Sequence, residues 1–169
     1  MRILTLTVAL LVLLAPSVRA QSVRPVIGAI HKEPLVANRA KGSFDVKVNP
    51  LAAYDTTAGS TLGRMSIDKQ FHGDLEATSI GEMLVGGTDV KNSAGYVAIE
   101  RVTGKLNGRS GSFTLQHSAT MNRGAPHLLI TVIPDSGTGE LVGLAGTLMI
   151  EITNGNHFYD FSYTLPGTS

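Results

Sequence analysis

Apolar and polar residues alternate with period two over most of the chain beyond residue 42. Phe44, Val46 and Val48 alternate with Asp45 and Lys47, and Met65, Ile67, Lys69 and Phe71 alternate with Ser66, Asp68 and Gln70. A repeat of two places successive side chains on opposite faces, so each run predicts a half-buried β-strand. The first run ends at Asn49-Pro50, and residues 52–62, rich in Thr, Gly and Ser, read as a loop. His72-Gly73-Asp74 turns the chain into a strand from Leu75 to Ser79. Further strands are expected over 94–103, 111–121, 128–133, 146–152 and 158–165. Residues 82–89, split by Gly86-Gly87, read either as a bulged extension or as a loop. Past the N-terminal segment no stretch sustains the 3.6-residue period of a helix.

The strands are joined by short, glycine-marked links with no long crossover. In the last third, Gly137, Gly139, Gly143 and Gly146 punctuate a turn and a tight bend. Two alternating segments follow, separated only by Thr153-Asn154-Gly155-Asn156. That is the pattern of a curved antiparallel hairpin. The fold class expected is all-β, a closed antiparallel β-barrel of about eight strands, with an open sandwich as the alternative.

The N-terminus bears on compartment. Arg2 precedes an apolar run from Ile3 to Leu14, then Pro16 and the small-residue site Val18-Arg19-Ala20. About twelve apolar positions are too few to cross a bilayer of roughly 30 Å but suit the core of a signal peptide. Residues 1–20 are therefore expected to be a signal peptide cleaved after Ala20, which makes the protein secreted or periplasmic; a retained N-terminal anchor is the alternative. Residues 21–41, interrupted by Pro25 and Pro34, read as a flexible arm, and 42–169 as the barrel domain.

Composition narrows the function classes. The chain has no cysteine, which excludes a lipid-modified cysteine anchor and any disulfide. Of 14 basic residues, Arg2 and Arg19 leave with the signal, so 12 face 13 acidic ones and the net charge becomes −1. Basic residues are dispersed among acidic ones, Trp is absent and aromatics make up 5%. Nucleic-acid binding, which calls for a basic stripe with stacking rings, is not expected. The five histidines, His31, His72, His117, His127 and His157, form no metal-ligand spacing, so neither metal nor cofactor is expected.

Candidate chemistry centres on the hairpin at Asn107-Gly108. A two-residue loop puts Glu100 opposite Leu115 and diagonal to His117, whereas a four-residue loop puts Glu100 directly opposite His117. In both registers Tyr96, Ala98, Glu100 and Val102 share a face with Phe113, Leu115, His117 and Met121. Tyr96, Glu100 and His117 are thus candidate ligand-binding residues in an apolar lumen. Val97 and Ile99 make the opposite face apolar too, which leaves an outward, solvated Glu100 as the competing reading. Glu76 is a fourth candidate, on the parity of Gln70 and Asp68; a solvated face competes there as well, and the sequence leaves open which face of residues 64–81 lines the lumen. Asp160 and His72 are weaker candidates.

The segments Leu62–Thr78, Ser93–Gly104 and Asn107–His117, together with the C-terminal block, resemble a bacterial family of unknown function, DUF3224. The resemblance runs from about Gly42 to Leu165. More distantly, Gly137-Thr-Gly-Glu-Leu-Val-Gly-Leu-Ala-Gly146 and the aromatic run at 158–161 are similar to blocks of plant allene oxide cyclases and dirigent proteins. That likeness implies an eight-stranded barrel holding a small apolar ligand, often as a dimer or trimer. No catalytic residue of the cyclases carries over, because their positions find no match outside the glycine block. Two functions follow as expectations: binding of a small apolar molecule in the lumen, or a cofactor-independent isomerase or cyclase. A filled barrel without ligand is the third option.

Overall fold

Strand follows strand in plain up-and-down order, each antiparallel to the last, until the eighth pairs back onto the first and closes a barrel. This computed structural model describes residues 37–57 and 60–167. The expected signal peptide and most of the expected arm lie outside the described residues. The strands are β1 (Asn38–Asp55), β2 (Ser60–Gly73), β3 (Leu75–Thr88), β4 (Ala94–Leu106), β5 (Arg109–Asn122), β6 (Ala125–Val132), β7 (Ala145–Thr153) and β8 (Asn156–Thr164).

Most strand ends shift by one to three residues from the sequence reading, and three departures are larger. β1 begins at Asn38 rather than near Gly42, because Asn38 to Phe44 pair with β8 from Tyr163 back to His157. The loop expected over 52–62 is mostly strand: β1 reaches Asp55, with a bulge between Leu51 and Asp55 taking up the extra residues. Pro50 is tolerated because β1 from Asp45 onward pairs with β2 alone and is an edge there. Residues 82–89 prove to be an extension of β3 through Thr88, with Gly86 opposite Gly95.

Alternation decides which side chains enter the barrel. Ile67, Lys69 and Phe71 of β2 point inward, as do Leu75, Ala77 and Ser79 of β3, Ala98, Glu100 and Val102 of β4, and Phe113, Leu115 and His117 of β5. The Asn107-Gly108 loop sets the register of β4 on β5. Both residues take positive φ, +48° and +81°, as the two-residue type I′ turn requires. Leu106 therefore faces Arg109, and Glu100 faces Leu115. The two-residue alternative is the one adopted.

The two ends of the barrel are unlike. At the end of the Gly73-Asp74 and Asn107-Gly108 turns, Phe71, Leu75, Leu106, Phe113, Phe161 and Leu165 are almost wholly buried. Aromatic contacts tie this plug together, Phe71 edge-on to Tyr159 at 5.6 Å and Phe113 stacked on Phe161 at 5.7 Å. The Gly137–Gly146 block forms the corner between β6 and β7 and carries a 3-10 turn, Gly139–Leu141, that tucks Leu141 and Leu144 under this end. Gly143 there has φ +81°, a conformation that a Cβ disfavours. At the opposite end Val48, Tyr54, Met121 and Leu128 remain about half exposed. One end is a packed core; the other is an open mouth.

Candidate functional site

Halfway along the lumen the apolar lining is broken by four polar side chains from four consecutive strands. Lys69 (β2), Ser79 (β3), Glu100 (β4) and His117 (β5) are respectively 8%, 4%, 0% and 2% exposed. The register brings them together: Lys69 lies opposite Ser79, Ser79 opposite Val102, and His117 opposite Ala98, so that each has Glu100 as a near or diagonal neighbour. Gly81, opposite Glu100, leaves the carboxylate room, since a Cβ there would stand 2.5 Å from the Ile99 carbonyl oxygen and 2.9 Å from Glu100 Cα.

Three side chains converge on one carboxylate. Lys69 Nζ donates to Glu100 Oε2 at 2.8 Å, and the Ser79 hydroxyl donates to Oε1. The ammonium also lies over the rings of Phe44 and Phe71, 5.0 and 5.6 Å from their centroids, a cation–π setting suited to a buried lysine. His117 Nε2 stands 2.8 Å from Oε2, while its ring N–H direction misses the oxygen and leaves Nε2 without an aligned hydrogen bond. Burial pushes the Glu100 carboxyl up, but the His117 ring, the Lys69 charge and the Ser79 hydroxyl outweigh it and hold the group at about 2. Glu100 is therefore ionised in any ordinary medium.

That arrangement limits what the cluster can do. An ionised carboxylate has no proton to donate, and one already accepting from Lys69 and Ser79, with the His117 ring 2.8 Å away, has little basicity left for a further partner. Among the described residues no group of three or more His, Asp or Glu stands ready to hold a metal ion. The cluster is a charged cross-brace under the floor of the mouth.

The sequence candidates fall in three places. Glu100 and His117 lie inside and adjacent, so the outward reading of Glu100 does not hold; Val97 and Ile99 are the outward residues of β4, each about half exposed. Tyr96 shares the inner face nearer the open end and is half-buried. Burial pushes its phenol up, and the Glu100 charge adds to the shift. Glu76 is not in the lumen. Lys69 and Phe71 occupy the inner parity, which the Gly73-Asp74 turn passes to Leu75, Ala77 and Ser79, so Glu76 faces out and its Oε1 accepts from Gly73 N at 2.8 Å. Asp160 is also outside, paired with Arg39 at 2.6 Å and Lys41 at 3.0 Å, and His72 lies exposed 3.4 Å from Asp45. Lys69 and Ser79 were missed. The signal was nonetheless present, a lysine in the apolar register of Met65, Ile67 and Phe71.

Above the cluster the mouth contains a cavity of about 290 Å³ lined mainly by Val85, Tyr96, Ala119, Met121, Pro126 and Leu128. A shallow hollow of about 530 Å³ at the rim shares Val85, Tyr96 and Ala119, but its lining also takes in Tyr54 and the outward Leu84, Val97 and Ser118. A family model described as a protein of unknown function, DUF3224, matches residues 40–163, nearly the whole described barrel. The chain belongs to the DUF3224 family. A crystal structure of a DUF3224 protein of unknown function from Shewanella oneidensis MR-1 is 53% identical, with a TM-score of 0.73. The match covers 77% of this chain and 98% of that one. No curated protein matches the chain. For this DUF3224 barrel, function has to be argued from the mouth and the cluster beneath it.

Proposed function

We propose that this DUF3224 barrel binds one small, largely apolar molecule at its open end. The carrying observation is the asymmetry of the lumen: one end is filled by aromatic and aliphatic side chains, while the other holds a cavity of about 290 Å³ with an apolar lining. That volume lies at the lower edge of the 300–1,000 Å³ typical of ligand pockets, which favours a small ligand. The polar cluster supports the reading indirectly. Its groups are paired with one another, so it braces β2 to β5 beneath the ligand without needing to touch it. Binding rather than acid–base turnover is the reading that a saturated carboxylate favours.

The test is titration of the protein with a neutral hydrophobic fluorophore, N-phenyl-1-naphthylamine, at pH 8. Wild type should enhance its emission saturably, with one site per chain. Ala119→Trp, which fills the mouth, should abolish the enhancement while the circular dichroism spectrum stays that of the barrel. Equal enhancement by Ala119→Trp would rule the mouth out.

A further inference from the structure

Three tyrosines, Tyr96, Tyr159 and Tyr163, project from inner-face positions, and their hydroxyls are used differently. At the filled end the Tyr159 hydroxyl accepts from Leu75 N at 2.8 Å and donates to the His72 carbonyl oxygen at 3.2 Å. The Tyr163 hydroxyl accepts from Asn107 Nδ2 at 2.8 Å. The Tyr96 hydroxyl, at the open end, makes no hydrogen bond to any described residue. A phenol that is half-buried among apolar neighbours normally finds a partner for its O–H. Here the partner position opens into the mouth.

The charge around that hydroxyl narrows what the partner is. Among the described residues no lysine or arginine lines the mouth cavity; apart from Tyr96, its polar side chains are Thr120 and His127. The inward Lys69, on β2 beyond the intervening β3, is committed to Glu100 and two phenylalanine rings. Glu100 itself lies on the same face of β4, four residues or about 13 Å along the strand from Tyr96. An anion entering the mouth would lose its hydration and meet no free counter-charge, since Lys69 is already paired with Glu100. A neutral acceptor oxygen would lose far less and gain the phenol's hydrogen bond.

We infer that the molecule held in the mouth is neutral and carries a hydrogen-bond acceptor, a ketone, aldehyde, ester or ether oxygen on an apolar body, to which Tyr96 donates, and that carboxylates such as fatty acids are discriminated against. This rests on the mouth-binding reading. Because burial and the Glu100 charge both push its phenol up, Tyr96 keeps the proton it donates.

Chain-matched competitors test the inference: undecan-2-one, undecanoate and undecane, each displacing N-phenyl-1-naphthylamine at pH 8. The ketone should displace the fluorophore at a concentration at least tenfold below that needed for the carboxylate. In Tyr96→Phe the preference for ketone over undecane should fall by about three- to tenfold, the loss of one hydrogen bond. A carboxylate that competes as well as the ketone overturns the inference, as does an unchanged ketone preference in Tyr96→Phe or a ketone that displaces nothing. A fluorophore that never binds wild type overturns the mouth reading and this one with it, so the two failures are told apart.

Discussion

Lys69 of β2 and Glu100 of β4 meet at 2.8 Å across β3, the strand that separates them. Both lie on inner faces, and Ser79 of the intervening strand closes the bridge by donating to the second carboxylate oxygen. Taking two charges out of water costs several kcal/mol per ion, and their attraction offsets this only when geometry and remaining hydrogen bonds are good. Here Ser79, His117 and two aromatic rings supply the additional contacts.

Breaking the pair from one side should therefore do more damage than removing it. Lys69→Met strands a buried carboxylate and is expected to destabilise by about 3–5 kcal/mol in urea unfolding. Lys69→Met combined with Glu100→Leu should recover a large part of that loss, giving a coupling above about 1.5 kcal/mol in the double-mutant cycle. Additive effects of the two changes would mean that the pair contributes nothing as a pair.

The same carboxylate sets an acid limit. Its folded-state value, about 2, is depressed from the ordinary 4.5, so the unfolded chain takes up the proton first as pH falls. Stability from this group is complete above about pH 4.5 and is lost as pH drops from there toward 2. Unfolding free energies measured between pH 6 and 2.5 should fall more steeply for wild type than for Glu100→Gln, which cannot titrate. Parallel curves would show that Glu100 carries no such shift.

Much of the architecture could be read from alternation alone, because a barrel strand with one buried face displays a period of two. That Tyr96, Glu100 and His117 share one face was legible, since either Asn107-Gly108 loop gives it, whereas the direction of that face was not. Nor was the orientation of β2 and β3. Lys69 occupies an apolar register, and a buried ammonium looks prohibitive until its counter-charge is known. That counter-charge lies 31 positions away on a strand that is not even a neighbour. A period-two pattern reports which residues share a face, whereas ion pairing between non-adjacent strands depends on closure of the barrel. Within 52–62, Thr, Gly and Ser suggest a loop, yet Asp55 pairs with Leu62, and Ser60 and Thr61 pair with β3.

Two glycines on facing strands should respond oppositely to one added methyl group. Gly81→Ala would force its Cβ to within 2.5 Å of the Ile99 carbonyl oxygen and against Glu100, shifting the strand that carries the carboxylate. A loss of about 1–3 kcal/mol is expected, the range for overpacking. At Gly63 of β2 a Cβ meets nothing within 4 Å, so Gly63→Ala should be neutral or slightly stabilising through reduced freedom of the unfolded chain. Thermal melts of the two variants in one buffer decide it. Equal midpoints would show that β4 yields at Glu100 without penalty.

The tyrosines provide the sharpest separation of stability from binding. Tyr159→Phe removes the acceptor of the buried Leu75 N–H and the donor to the His72 carbonyl. A buried donor left unsatisfied costs about 1–3 kcal/mol, and Tyr159→Phe should lose that much in urea unfolding. Tyr96→Phe removes a hydroxyl with no described protein partner, so its unfolding free energy should stay within about 0.5 kcal/mol of wild type. Stability would then fall with the tyrosine at the filled end, while ligand preference falls with the tyrosine at the mouth. If Tyr96→Phe destabilised as much as Tyr159→Phe, its hydroxyl would be part of the folded framework and unavailable to a ligand.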